Sequence, residues 1–356
     1  MKIYEERRLK LTENLSGDIA VIIPGSVLAN RSNDTAYPFR QDSNFYYLSG
    51  FNEPDSTLMI INKSGKTNSI GFVPKKDKLK EIWDGFRHGP EGMKSDFGFN
   101  DAFNNDEIDE LLPDLLDGVS CVYYPFGKVE GFDQKVIKWT KKANSKDRHS
   151  KKMEIADISK IIGNKRLIKD SSEINIIEKA CEISANAHLE AMKFVKPGMN
   201  EAEVEAFYLY EFAKNGGRFP AYNPIVASGE NACVLHYVEN NQVINDGDLL
   251  LVDAGCEYEM YASDITRTFP ANGKFSDEQL QIYNIVLEAQ KASVDAVSKG
   301  NGVMDPQTIS EKVITEGLID LGIIKGNLEE EHEKGSFKDF YTVSYTHLTL
   351  PTICSV

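Results

Sequence analysis

Leu249-Leu250-Leu251-Val252-Asp253-Ala254-Gly255, followed by Ser263-Asp264-Ile265-Thr266-Arg267-Thr268-Phe269, is the stretch on which the fold turns. Four apolar residues ending in a carboxylate read as a buried strand. The second segment alternates and is rich in Ile, Thr and Phe, the composition of a partner strand. A two-residue turn at Tyr258-Glu259 would join them as a hairpin and set Asp253 directly opposite Asp264, with Cβ atoms about 4.5–5.5 Å apart. Two buried carboxylates that close cannot both be ionised without positive charge between them. A shared proton or a divalent cation would satisfy them, and the cation is favoured. The plainer alternative has Asp253 ending a strand and Asp264 pairing with Arg267. The turn also lacks the Asn-Gly signature that would set the register.

Upstream of the pair lie Tyr222-Asn223-Pro224-Ile225-Val226-Ala227-Ser228-Gly229-Glu230-Asn231 and then Leu235-His236-Tyr237. Taken with the aspartate segments, these resemble the Xaa-Pro aminopeptidases (aminopeptidase P), metallopeptidases of the pita-bread fold. A second region, Arg40 to Pro54 (RQDSNFYYLSGFNEP), resembles the amino-terminal domain of the same family. The resemblance implies a mixed α/β (α+β) chain with an amino-terminal domain over 1–165 and a partial pita-bread catalytic domain over 170–341. It implies that Asp253 and Asp264 are ligands of a dinuclear centre, usually manganese, with Asp264 bridging the ions. It makes His236 a substrate-binding residue beside that centre. It aligns Trp83 with a tryptophan that some members insert into a neighbouring subunit's active site, which leaves a homo-oligomer open. The expected substrate is a peptide with proline at its second position, cleaved by metal-activated hydroxide. Two alternatives stay open, a prolidase-type dipeptidase and a non-catalytic pita-bread module that binds peptide or protein.

Composition is consistent with this reading. The chain has 356 residues, 41% of them apolar and 27% charged, which is globular rather than disordered. No run approaches the roughly 18 apolar residues that span a bilayer, and residues 1–20 lack an apolar signal core. A net charge of −15 argues against nucleic acid and anionic membrane as partners. Five scattered cysteines without a CxxC read as free thiols, and the expected compartment is the cytoplasm.

Ile19–Ile23, Thr57–Ile61, Ser69–Val73 and Cys121–Tyr124 read as strands, with a turn over 62–68. Leu111-Leu112 and Leu115-Leu116 share one face of a short helix. Lys141–Lys152 reads as a charged surface loop. Ser171 or Ser172 would cap a long helix with apolar positions Ile174, Ile177, Cys181, Ala187, Ala191 and Phe194, on which His188 looks structural. Asn200 and Glu203 form a capping box for the next helix. Glu329–Glu333 reads as a solvated acidic helix face.

The resemblance also implies a later histidine and two glutamates as ligands. Residues 342–356 read TVSYTHLTLPTICSV, without Asp, Glu, Lys or Arg, and His347 lacks the glycines of the family's histidine segment. They are expected to be a non-native tail on a truncated chain that binds metal weakly and is inactive as written.

Overall fold

The computed structural model describes residues 2–145 and 152–341, which divide into two compact units, through Ile168 and from Lys169 onward. The expected non-native tail, with His347, lies outside the described residues.

The first unit is built on Ile19–Pro24 (β1), which follows the helix Lys2–Thr12 (α1) and is buried at every position. Side chains alternate across a strand, so a strand buried throughout must be covered on both faces. Ile19, Val21 and Ile23 pack with Leu11, Phe45, Leu48, Met93 and Ile162, whereas Ala20 and Ile22 pack with Leu112, Val136 and Trp139. The first group of helical residues belongs to α1, Ser43–Ser49 (α2), Gly89–Phe97 (α4) and Ser159–Leu167 (α7). The second belongs to Ile108–Leu115 (α5) and Phe132–Asn144 (α6). Between these layers runs a mixed sheet of Thr57–Lys63 (β2), Lys66–Val73 (β3), Asp101–Asn104 (β4), Cys121–Tyr124 (β5) and Glu154–Asp157 (β6), in the order β4-β3-β2-β1-β5-β6. The turn expected over 62–68 is shorter than that. β2 and β3 pair as far as Lys63↔Lys66, and Ser64 and Gly65, at φ 51° and 78°, make the two-residue turn. The charged run Lys141–Lys152 begins inside α6, and its residues 146–151 fall outside the described set. The helix Lys78–Asp84 (α3) buries none of its residues.

The second unit opens with Ser171–Phe194 (α8) and Glu201–Lys214 (α9). Asp170 rather than either serine caps α8, its carboxylate accepting from the Ser172 and Glu173 amides, and Glu173 completes a capping box. The Asn200/Glu203 box on α9 forms as read. The buried face of α8 carries Ala180, Ile183, Ser184, Ala187, His188 and Ala191, whereas Ile174, Cys181 and Phe194 are exposed. Small and polar residues were preferred there because they let the sheet come close and bond to it. Ser184 Oγ meets Ser263 Oγ at 2.7 Å, and His188 Nε2 meets the Ala254 carbonyl at 3.2 Å.

Against these helices lies an antiparallel sheet of Ile225–Ser228 (β8), Leu249–Asp253 (β9) and Thr266–Pro270 (β12), in the order β12-β9-β8. Phe219–Pro220 (β7), Cys256–Tyr258 (β10) and Tyr261–Ala262 (β11) make a second small sheet. Three helices follow, Asp277–Ala296 (α10), Asp305–Asp320 (α11) and Leu328–Lys334 (α12). On α12 the acidic face is not wholly solvated. Glu331 is buried and accepts from Ser336 Oγ and Lys334 Nζ. No helix among the described residues is long and apolar enough to cross a membrane.

Candidate functional site

β9 is not the fully buried strand that four apolar residues suggested. Leu250 and Val252 are buried against α8 and α9, whereas Leu249, Leu251 and Asp253 face the other way and are only partly covered. Asp253 therefore projects from the face of the sheet opposite the helices.

The hairpin joining the two aspartate segments forms with its turn one residue later than expected, at Glu259-Met260. These residues have φ of 47° and 69°, so the turn has the backbone of a type I′ hairpin without its usual Asn-Gly. One step in the turn moves the register by two, and Asp253 stands opposite Thr266 rather than Asp264. Asp264 becomes the diagonal neighbour on the same face, because period two returns its side chain to that side. The ladder is broken between β11 and β12. An ideal Cβ on Gly255 would lie 1.8 Å from the Ser263 carbonyl oxygen, so glycine alone admits this approach. Ser263 Oγ donates to the Cys256 carbonyl and accepts from its amide, while Ala254 N–H reaches the Ile265 carbonyl at 3.2 Å.

The residue that joins the aspartates is Tyr222, just before β8. Its hydroxyl lies 2.5 Å from Asp253 Oδ1 and 3.0 Å from Asp264 Oδ1. Both contacts end on one oxygen, so the two Oδ1 atoms are at most 5.5 Å apart. A phenol has one proton to donate, and it cannot satisfy two ionised carboxylates at once. Burial, and after it the charge of Asp253, pushes the Tyr222 hydroxyl far above its ordinary range, so it stays protonated. The carboxylates are less buried than expected: Asp253 is half-buried and Asp264 exposed. Tyr222 carries no signal of this role in the sequence. Nothing local marks it, since its partners lie 31 and 42 positions away.

β8 continues into the 3-10 turn Gly229–Cys233, and His236 stands exposed just beyond it, with Tyr237 buried next to it. No hydrogen bond joins His236 to either aspartate among the described residues. His188, read as structural, is 2% exposed and held between the Tyr208 hydroxyl and the Ala254 carbonyl. Burial lowers its pKa and keeps the ring neutral. Arg267 is exposed and bonds to the neighbouring Thr266 carbonyl, not to Asp264. Trp83 is 88% exposed on α3 of the first unit, which excludes a packing role in that unit's core.

Two carboxylates turned to one face are hard oxygen donors suited to a divalent cation. Among the described residues no group of three or more His, Cys, Asp and Glu side chains converges on a metal-sized site. The pair thus fits part of one ion's donor set and does not by itself fit two ions, whose four positive charges it would leave half uncompensated.

Comparison with known proteins gives the arrangement a context. Residues 175–349 match the profile of metallopeptidase family M24, and residues 4–123 match that of the aminopeptidase P amino-terminal domain. The chain is 38% identical over 344 residues to the Xaa-Pro aminopeptidase of Haemophilus influenzae, covering 97% of this chain and 78% of that one. It is 37% identical to the Xaa-Pro aminopeptidase of Escherichia coli, with 97% and 79% covered. Among solved structures, aminopeptidase PepP of Pseudomonas aeruginosa superposes with a TM-score of 0.91 at 39% identity, covering 95% of this chain and 77% of the other. A zinc-substituted Escherichia coli aminopeptidase P in complex with product gives 0.93 at 37% identity, with 96% and 78% covered.

Proposed function

The chain belongs to the Xaa-Pro aminopeptidases of metallopeptidase family M24, and from that premise we propose that its reaction is release of an amino-terminal residue ahead of proline, at a site centred on Asp253 and Asp264. The observation that carries this reading is the Tyr222 hydroxyl set between the two carboxylates, which turns them to one face at most 5.5 Å apart. The site's all-oxygen character favours a hard ion such as manganese over a thiophilic one. When bound, such an ion supplies an acidified water and a Lewis acid for the scissile carbonyl.

The chain's own residues have separable tasks. Asp253 and Asp264 would hold the metal in part. Tyr222 keeps the pair aligned and, remaining protonated, adds no further negative charge. His236, exposed on the loop after β8, offers an imidazole to the substrate carbonyl. Cleavage of a Xaa-Pro-Xaa tripeptide and of a Xaa-Pro dipeptide, each with added manganese, tests the assignment. Because the pair supplies only part of a donor set, manganese-dependent tripeptide cleavage by this chain is expected to be weak at most, and whatever is present should disappear in Asp253→Asn and in Asp264→Asn. Activity confined to the dipeptide would favour the prolidase-type reading. Peptide binding that ignores both substitutions and needs no metal would favour a non-catalytic module.

A further inference from the structure

The loop that presents His236 has little regular structure to hold it. Between Ser228 and Gln242 it contains only the 3-10 turn Gly229–Cys233, with Val234, Leu235 and Val238 exposed. Much of its order comes from one side chain beneath it. Glu201, the first residue of α9, is fully buried. Its Oε1 accepts from the Ser228 amide and hydroxyl, both at 2.7 Å, and from Asn231 Nδ2 at 3.2 Å. Its Oε2 accepts from the Tyr237 hydroxyl at 2.8 Å and the Gln242 amide at 3.0 Å. The Glu201 amide in turn donates to the Gln242 carbonyl at 2.9 Å.

Five donors from four residues, at both ends of the loop and next to His236, therefore meet on one carboxylate. A neutral amide could not accept them all, because half of its polar capacity is donor. Burial pushes the Glu201 pKa up, but the donors from Gln242, Ser228 and Tyr237 outweigh it and the net displacement is downward. Asn240 makes a second tether, in the left-handed region at φ 45°. It accepts from the Val226 amide and donates to the Pro224 carbonyl and to Glu205. Both tethers lead back to β8, whose Ile225 pairs with Asp253.

We propose that Glu201 is a positioning residue that fixes the Ser228–Gln242 loop and so sets where His236 meets the substrate. The proposal rests on the reading of His236 as a substrate-binding residue. Removing the carboxylate frees the flank next to His236 (Tyr237) and both ends of the loop at once, whereas removing any single donor loosens one.

The test uses the full chain with labelled histidine, whose six rings give separable NMR signals. In Glu201→Gln, amide hydrogen exchange at Ser228 and Gln242 should rise at least about tenfold, because buried bonds are lost there. The His236 ring signal should move toward that of free histidine, with amides of β1 unchanged. Tyr237→Phe should shift His236 the same way by less, and Glu203→Gln, in the exposed capping box of the same helix, should leave it in place. An Ala-Pro-Ala titration of the unaltered chain should move the His236 signal, and half-saturation should need at least about fivefold more peptide in Tyr237→Phe. A folded Glu201→Gln chain with an unmoved His236 overturns the tether. Should Glu201→Gln not fold, an unmoved His236 in Tyr237→Phe overturns it equally. A His236 signal that follows both substitutions but ignores the peptide sinks the substrate-binding reading instead, so the two failures are told apart.

Discussion

Replacing Gly255 by alanine tests the close approach on which the aspartate pair depends. The new Cβ would lie 1.8 Å from the Ser263 carbonyl oxygen and 2.5 Å from its carbon, both backbone atoms. An unstrained carbon–oxygen contact is about 3.3 Å, so the two chain segments would have to part by roughly 1.5 Å. Gly255 is not in the left-handed region, so space alone is the requirement. Three hydrogen bonds straddle the point: Ala254 N–H to Ile265, Ser263 N–H to Cys256, and Ala221 N–H to the Gly255 carbonyl. At about 0.5–1.5 kcal/mol net for each bond, losing all three costs about 1.5–4.5 kcal/mol. The separation would also draw Asp264 away from the Tyr222 hydroxyl and so undo the pair. Urea unfolding followed on the second unit, together with amide exchange at Ala254 and Ser263, measures this. Gly163→Ala is the control, since nothing lies within 4 Å of its Cβ on α7, and it should be neutral or gain up to about 1 kcal/mol. Gly255→Ala within about 0.5 kcal/mol of the unaltered chain, with protected Ala254 and Ser263 amides, would refute the reasoning.

Other consequences can be measured directly. Tyr222→Phe removes a hydrogen bond to charged oxygen and should cost about 1.5–2 kcal/mol at pH 7, the lower part of the usual range because Asp264 is exposed; an unchanged denaturation midpoint would deny the phenol its bridging role. Tyr208 is fully buried and burial raises its pKa, so above pH ~10 the unfolded chain gives up a proton that the folded chain keeps. Its contribution to stability is complete below that pH and falls by about 1.4 kcal/mol per pH unit above it, and Tyr208→Phe should flatten alkaline denaturation by that slope. Manganese titration of the 356-residue chain should give weak binding, with a Kd on the order of 0.1–1 mM, as suits a pair of carboxylates; tight binding of two ions would show that other residues complete the set.

Much of the architecture was legible because it depends on local pattern. Ile19–Ile23 carries an unbroken apolar run, and the structure covers it on both faces. The Asn200/Glu203 box announces α9 within four residues. β9 carries a comparable apolar run, LLLV against the IAVII of β1, yet its alternate residues are only partly covered. Only the packing distinguishes a strand between two helical layers from one with a single covered face. On α8 the expected Ala187 and Ala191 are buried, but Ser184 and His188 join them there in place of Ile174 and Phe194, because a close helix–sheet contact takes small and hydrogen-bonding side chains that carry little hydrophobic signal.

By itself the sequence pointed to two apolar segments joined by a short connection, with Asp253 at the end of the first and Asp264 at the start of the second. In the structure Asp253 ends β9 and Asp264 sits in the break between β11 and β12. The tertiary structure decided the rest. Glu259-Met260 has no composition that marks a turn, so the register shift making the aspartates diagonal rather than opposite arises from how the whole sheet packs. Tyr222 reaches the pair and Glu201 gathers the His236 loop across intervals of 27 to 42 residues. Contacts at that separation follow from the arrangement of α8, α9 and the sheet, and no local periodicity records them.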